Sequence, residues 1–470
     1  MQDRRNRIGM ADWTLDSGCE PTVRVGVVLP EDGDTQVCLD IPGTGYCASV
    51  SPAGGQACRP VQGRIVARCA EQGVALEPAD HGLGTASRWR IIPPALADDA
   101  DALCVRVHGV VAGRGFHWQK RIEQCLPGNL EIARVDGGIL LVNELPIEAY
   151  LKGVITAEMG GECPLDLLKA QCVTARSWML AGTEHKHDSC GFDYCNDDCC
   201  QRYQGFTHLT PSGRHAVDQT RGEAMIHRNG TIIDANYSKS CGGVVEAPGP
   251  VWGRHKAGQY AVADAPPDSY ARGFLPVTPA RLDEYLTGDW LKSCDVFCSP
   301  NVVPTDDLAR YLGAVDETGE YFRWTVETPR EQLESVLHSR FFERSGVGGR
   351  DALATLEDLV VTRRGQSGRA IAVTVVYRGR DGRQHIATIV DQYWIRYALS
   401  EKFLFSSAFK VEIQRDDAGR ADTIRLVGAG WGHGAGLCQI GALGMALQEY
   451  DYFAILHHYF ERMCVRRVYA

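Results

Sequence analysis

The chain has 470 residues, with 49 lysines and arginines against 59 aspartates and glutamates and a formal net charge of −10. Its 44% hydrophobic and 23% charged residues are ordinary for a folded chain of two or three domains with a sizeable core. This excludes a mainly disordered, collagen-like or coiled-coil protein, and it argues against nucleic acid as a partner, because no basic surplus is at hand to neutralise phosphates.

Residues 1–20 read as a polar tail. The opening MQDRRNRIGMADWTLDSG carries no apolar signal-peptide core, and no stretch approaches the ~20 apolar residues of a transmembrane helix. The expectation is a chain without a transmembrane segment, cytoplasmic as written unless its start lies elsewhere. Residues 21–145 hold short apolar runs broken by Gly, Pro and Asp, among them Val23–Leu29, Cys104–Val111 and Gly138–Asn143. Such runs with turn punctuation are strand signals, so this region reads as a β-rich N-terminal domain.

From Pro146 the period changes. PIEAYLKGVITAEM places Ile147, Tyr150, Leu151 and Val154 at helical spacing, and Gly160 and Gly161 break the helix. PLDLLKAQCVTARSWML starts a second helix with Pro164 at its first turn. Its apolar face carries Leu165, Leu168, Cys172, Ala175 and Met179, while Lys169 and Arg176, two turns apart, share another. Strands are expected at Met225–His227 and Thr231–Tyr237, an irregular stretch with Pro, Asp and mixed helical segments over 245–355, and strands again over 356–412 and in TIRLVGAG. A helix over Cys438–Gln448 and a short one in DYFAILHHYF close the chain. The fold class is α+β, with a β-rich N-terminal part, a helical middle segment and a mixed C-terminal part.

Five places carry chemistry. Glu158 ends an apolar helix at a Gly-Gly break; over low-dielectric packing its pKa would rise, as a general acid needs near neutral pH, while a solvated surface Glu is the alternative. Lys169 and Arg176 offer two cations for an anionic or polyhydroxy ligand, or form a solvated face paired with Asp166 and Glu184. In GAGWGHGAGLCQIGALGMA, alternating glycines allow close backbone approach and fix His433 in a turn. A dinucleotide fingerprint fails there, because no second strand follows to complete a βαβ unit. In NYSKSCGG, Tyr237, Ser238 and Ser240 can donate hydrogen bonds to sugar hydroxyls, or simply form a turn at a strand end.

The fifth place is HKHDSCGFDYCNDDCCQRYQG. The chain has 18 cysteines, and Cys190, Cys195, Cys199 and Cys200 crowd into this loop with His185 and His187. They offer ligands for a tetrahedral zinc, although the spacing is not that of a zinc ribbon; a disulfide or free thiols are the alternatives. The remaining cysteines, scattered along the chain, read mostly as small buried residues.

Taken together, NELPIEAYLKGVITAEM, PLDLLKAQCVTARSWML, CCQRYQG, YSKSCGG and GWGHGAGLCQIGALGMA followed by ILHHYF resemble, in order, the sporulation stage II protein D and amidase-enhancer family. The resemblance spans about residues 140–245 and 420–460. It implies a catalytic domain over 146–470 with an insert at about 245–410, a cell-envelope setting, and lytic transglycosylase activity on peptidoglycan glycan strands, cleaving between muramyl and glucosaminyl residues with a 1,6-anhydro product. It places the catalytic acid on Glu158 and basic helix residues on Lys169 and Arg176. Its SxSGG turn corresponds loosely to Ser238–Gly243, which is one residue longer and carries Cys241. Its GHGxGxxQxGA segment falls on His433 and on Gln439, a substrate-binding candidate. Its C-x3-H-C metal pattern appears as Cys195, Cys199 and Cys200, with His replaced by Cys and Cys190 or His187 left to complete the set. Ordinary glycosidases use two carboxylates, whereas the muramyl 6-hydroxyl makes one acid sufficient. The alternatives are a non-catalytic glycan-binding enhancer of a cell-wall amidase, or a metal or thiol protein reusing the fold.

Overall fold

The computed structural model describes residues 10–470 apart from 11–13, 16–17, 44, 51–57, 78–82, 95–102, 117, 184–185, 314–315, 317–318 and 347–352. Most of the expected polar tail, Glu184 and His185 therefore lie outside the described residues. The chain forms two compact units, Met1–Ala224 with Tyr311–Asp316 and Arg466–Ala470, and Met225–Arg310 with Glu317–Val465. Among the described residues no helix is long and apolar enough to cross a membrane.

The first unit holds strands β1 (Thr22–Val28), β2 (Gln36–Ile41), β3 (Cys47–Ser49), β4 (Arg59–Pro60), β5 (Gly63–Ala70), β6 (Gly73–Glu77), β7 (Thr85–Ala86), β8 (Arg88–Ile92), β9 (Val105–Ala112), β10 (Lys120–Leu126), β11 (Asn129–Val135) and β12 (Gly138–Pro146). Then follow helices α1 (Ile147–Glu158) and α2 (Leu165–Ala181), strand β13 (Tyr194–Cys195) and helix α3 (Pro211–Gln219). Two sheets form, in the orders β13-β1-β12-β11-β8-β3-β4 and β10-β9-β2-β5-β6-β7. In β1, Val23, Val25 and Val27 alternate and are fully buried, as expected of a strand with a core face. The near-continuous apolar run of β12 lies between β1 and β11 with almost every residue buried. Cys47 and Cys58 form a disulfide that joins β3 to the residue before β4.

α1 follows β12 without a loop and packs on β1 and β12, so it belongs by contacts to the β-rich unit that the sequence reading ended at residue 145. Its expected face is confirmed: Ile147, Tyr150, Leu151 and Val154 are all fully buried. Gly153 is needed because a Cβ there would stand 2.5 Å from the Tyr203 ring. α2 starts after Pro164 and stops at Gly182, whose left-handed φ of 56° suits a residue without Cβ.

The second unit begins within β14 (Glu223–His227) and continues through β15 (Tyr237–Ser238), β16 (Val244–Val245), α4 (Pro248–Trp252), β17 (Val262–Ala263), α5 (Leu282–Thr287) and α6 (Thr305–Tyr311). Then come β18 (Arg323–Pro329), α7 (Arg330–Leu337), α8 (Glu343–Ser345), β19 (Thr355–Arg364), β20 (Ala370–Arg378), β21 (Gln384–Val390) and α9 (Gln392–Ala398). The unit continues with β22 (Phe409–Arg415), β23 (Ala421–Ala429), β24 (Leu437–Cys438), α10 (Gln439–Leu447) and α11 (Tyr452–Tyr459), and ends within β25 (Met463–Arg467). Two three-stranded antiparallel sheets, β18-β23-β22 and β19-β20-β21, share one core with α7 and α9, including Trp324, Leu337, Phe342, Val373, Ile395 and Phe409. Two expectations fail here. Thr231–Tyr237 pairs only at Ile232 and from Tyr237, and the stretch read as irregular with mixed helical segments also contains the strand β18. β18 escaped notice because RWTVETP lies on a sheet edge and buries little beyond Trp324.

Candidate functional site

Glu158 is the last helical residue of α1; Met159 leaves the helix extended while still donating its N–H to the Ile155 carbonyl. The side chain is 7% exposed, so it is not a solvated surface Glu. Its Oε1 accepts the backbone N–H of Arg202 at 3.0 Å. The Arg202 guanidinium pairs with Asp198 and Asp316 and lies over the Trp118 ring, 5.0 Å from its centroid. Burial works against the Arg202 charge, but Asp198, Asp316 and Glu158 outweigh it and hold the group well above its ordinary pKa. Below this group Tyr150 stacks on Tyr203 at 4.9 Å, and the Tyr203 hydroxyl donates to Asn143 Oδ1 at 2.6 Å. Arg202, Asp198 and Asp316 were missed in the sequence, since Asp316 is more than a hundred residues from its partner.

The basic face expected on α2 is divided by burial. Lys169 is half-buried, whereas Arg176 is fully buried. Arg176 donates Nε and Nη2 to the two oxygens of Glu148 at 2.9 and 2.7 Å, and Nη1 to the Glu223 carbonyl at 3.0 Å. Glu148 also accepts the Gly222 N–H at 3.0 Å and the Tyr469 hydroxyl. Arg176 therefore lies in the core as half of a saturated ion pair that ties α1 to α2, because a buried guanidinium needs its charge and its donors met.

The loop after α2 brings His187, Cys195, Cys199 and Cys200 together, with one ligand atom of each within 4.8 Å of the others. Cys199 Sγ lies 3.4 Å from Cys195 Sγ, 3.8 Å from Cys200 Sγ and 3.4 Å from His187 Nε2. These separations suit a tetrahedral ion, whose sulfurs stand about 3.8 Å apart when each is about 2.3 Å from zinc. Cys190 is a correction: it is exposed, stands outside the group, and its place is taken by His187. It sits in a short 3-10 turn that ends at Gly191 with φ of 81°, whereas β13 carries Cys195 inward. Hydrogen bonds from Cys195 and Cys200 pull the Cys199 thiol far below its ordinary pKa, while the Cys195 thiol is pushed up to about 12 by its bond to Cys199. Arg114 holds the loop from β9's end, donating its N–H to Asp197 Oδ2 at 2.7 Å, Nη1 to Asn196 Oδ1 at 2.6 Å and Nε to Asp32 at 2.6 Å.

In the second unit, β15 runs parallel to β24, pairing Tyr237 with Leu437 and Ser238 with Cys438. Gly430, Gly432, Gly434 and Gly436 all have positive φ, between 72° and 92°. A Cβ on Gly434 would meet the Arg369 guanidinium at 2.1 Å, and one on Gly436 the Asn236 carbonyl at 2.0 Å, so the close approach expected of this turn is to its own unit. Ser238 is 7% exposed, Ser240 is fully buried and Gln439 is 1% exposed, while Tyr237 is half-buried. The Ser238 and Ser240 hydroxyls have no hydrogen-bond partner among the described residues. His433 Nδ1 accepts the Ala435 N–H at 3.0 Å and its ring meets Trp252 edge-on at 4.9 Å. Desolvation, with the nearby Arg369, Arg396 and Lys256 charges, pulls its pKa down to about 3, so the imidazole is neutral at physiological pH. Arg369, from the insert expected at about 245–410, is fully buried and donates to the Cys241 and Val244 carbonyls at 3.1 and 3.3 Å.

A family model described as Stage II sporulation protein matches residues 135–227, which include Glu158, Lys169, Arg176 and the cysteine loop. A second, described as a domain of unknown function, matches residues 299–436, which include Arg369 and His433. The chain is 26% identical over 336 residues to an uncharacterized protein of Brachyspira hyodysenteriae (strain ATCC 49526 / WA1), covering 71% of this chain and 70% of that protein. It is 27% identical over 319 residues to a protein of Bacillus subtilis (strain 168) named Amidase enhancer, covering 66% of this chain and 39% of the length of that protein.

Proposed function

Because the chain belongs to the stage II sporulation protein D and amidase-enhancer family and so has a cell-wall-related role, we propose that it is a lytic transglycosylase of peptidoglycan with Glu158 as its acid and base. The observation that carries this reading is the burial of one carboxylate at the end of α1, fixed through the Arg202 N–H and supported by a guanidinium–indole stack. Glu158 protonates the glycosidic oxygen that leaves from the muramyl C1. The same group, now ionised, takes the proton of the muramyl 6-hydroxyl as that oxygen closes on C1. One carboxylate thus serves both steps and no attacking water is needed. In this reading Lys169 contacts glycan, Arg176 is a positioning residue that holds α1, and His433, Tyr237, Ser238, Ser240 and Gln439 serve as a hydrogen-bonding group in the second unit. His187, Cys195, Cys199 and Cys200 would hold a zinc ion that fixes the loop leading to Arg202; with four protein ligands it would be structural.

The test is mass spectrometry of peptidoglycan digested with the full chain. Terminal 1,6-anhydromuramyl residues are expected, and Glu158→Gln is expected to lower their rate by about 10²–10⁴-fold, the usual contribution of acid–base catalysis. The second reading, a glycan-binding enhancer of a cell-wall amidase, is favoured by the name of the Bacillus relative. It requires no anhydro product from either protein and equal stimulation of an amidase by both.

A further inference from the structure

The second unit contains a thiol-rich cluster that the reading above does not use. Cys241 comes from the turn after β15, Asp264 from the end of β17, Cys298 from the coil before α6, and Cys438 from the N-cap of α10. All are buried, with exposures of 0% for Cys241 and Asp264, 3% for Cys298 and 1% for Cys438. One ligand atom of each lies within 4.8 Å of the other three. Cys241 Sγ is 3.7 Å from Cys298 Sγ and 3.3 Å from Asp264 Oδ2. A tetrahedral zinc with ordinary bond lengths sets its sulfurs about 3.8 Å apart and its sulfur and oxygen ligands slightly closer.

The surroundings are arranged for anionic sulfur. Backbone N–H groups of Cys241 and Gly441 donate to Cys438 Sγ at 3.1 and 3.3 Å, and that of Gly243 donates to Cys241 Sγ at 3.4 Å. The Asp264 carboxylate is oriented from behind, its Oδ1 accepting the Tyr459 hydroxyl at 2.7 Å with His458 Nε2 at 3.6 Å, which turns Oδ2 toward Cys241. Ligands held by such outer hydrogen bonds are the mark of a built metal site. Positive charge is supplied nearby: Arg369 donates to the Cys241 carbonyl at 3.1 Å and Arg323 to the Gly242 carbonyl at 2.8 Å. These guanidiniums offset the negative excess that three thiolates and a carboxylate leave on a dication. Cys298 also lines a cavity of about 250 Å³, which gives an ion a way in.

We propose that Cys241, Asp264, Cys298 and Cys438 bind a structural zinc ion. Three thiolates with one carboxylate suit zinc better than copper(I), which takes soft ligands alone, or magnesium, which takes oxygen. All four positions are filled by protein, so the ion fastens and does not catalyse. It joins the turn that carries Ser238 and Ser240 to the start of α10, where Gln439 stands, and so fixes the hydrogen-bonding group of this unit.

The experiment is metal analysis of the full chain produced with zinc and purified reduced. The Cys199→Ser/Cys200→Ser protein, which lacks the loop site, is expected to keep about one zinc per chain, with three sulfurs and one oxygen around it by X-ray absorption. Adding Cys298→Ser is expected to remove that zinc. If this triple variant does not fold, Cys298→His, which keeps a ligand in place, is expected to fold and show two sulfurs. A folded Cys199→Ser/Cys200→Ser protein without zinc, a different metal there, or a Cys241–Cys298 disulfide in unreduced peptide maps overturns the proposal. None of these readouts depends on glycan cleavage.

Discussion

Two glutamates of α1 stand ten residues apart and are almost equally hidden, Glu148 at 4% and Glu158 at 7% exposure, yet their surroundings differ in kind. Glu148, in the first turn, is closed on every side: Arg176 takes both oxygens, and Gly222, Tyr469 and a fully buried core complete its shell. Glu158, at the last turn, receives a backbone N–H and lies where the chain turns out of the helix beside the Arg202 stack. The same residue type on one helix thus serves as a clamp at one end and as a candidate acid at the other. A carboxylate gripped through both oxygens by a buried guanidinium is held ionised as a structural clamp, whereas Glu158 stands where its helix breaks. Burial alone does not mark an active group; the identity of what occupies its oxygens does.

The same substitution at both positions separates these roles. Glu148→Gln leaves the Arg176 charge buried without its counter-ion, and a broken buried pair costs about 3–5 kcal/mol. Thermal unfolding should show it, at roughly 2–4 °C per kcal/mol for a unit of this size. Glu158→Gln keeps an oxygen for the Arg202 N–H and should change stability by less than about 1 kcal/mol, with its effect falling on product formation. If Glu158→Gln unfolds the protein and Glu148→Gln does not, the assignments are reversed. A smaller effect is expected for Arg176→Lys, which keeps the charge but loses the planar fork matched to Glu148; about 1.5–3 kcal/mol is expected, the value of a hydrogen bond to a charged group. Urea midpoints at constant slope would measure it. An unchanged midpoint would mean that charge, not the fork, secures α1.

This comparison also shows what could be read from the sequence. α1 and α2 were legible because their apolar positions recur at helical spacing and their ends carry Pro, Gly-Gly or Gly. Glu158 was legible for the same reason, being the charge where that pattern stops. The fate of Arg176 was not, since its partner Glu148 lies on another helix and the Gly222 and Tyr469 donors that saturate the pair come from distant stretches. His187 could be named but not preferred over Cys190, because which of them joins Cys199 depends on how the loop folds back, and the sequence spacing does not fix that. The Cys241 cluster shows the limit most plainly. Its four members are separated by long intervals and look like lone buried residues in the sequence, so only tertiary structure brings them together.

Acid titration gives the finest test of the contrast. Burial pushes the Glu148 carboxyl up, but Arg176, Tyr469 and the Gly222 N–H outweigh it and hold its pKa below the ordinary 4.5. A carboxyl whose folded pKa lies below its unfolded value stabilises the protein fully above the unfolded value, and that stability is lost as pH falls toward the folded one. Glu148 should therefore contribute a pH-independent amount from neutrality down to about pH 5, then a decline with a slope of at most about 1.4 kcal/mol per pH unit. Unfolding free energies at a series of pH values should show this decline in the unaltered chain. In Glu148→Gln the decline should flatten, because no titrating group remains at that position, although the protein is weaker at every pH. Glu158→Gln should leave the Glu148 decline in place. Flattening in Glu158→Gln instead would show that the pair with Arg176 is not what ties acid stability to α1.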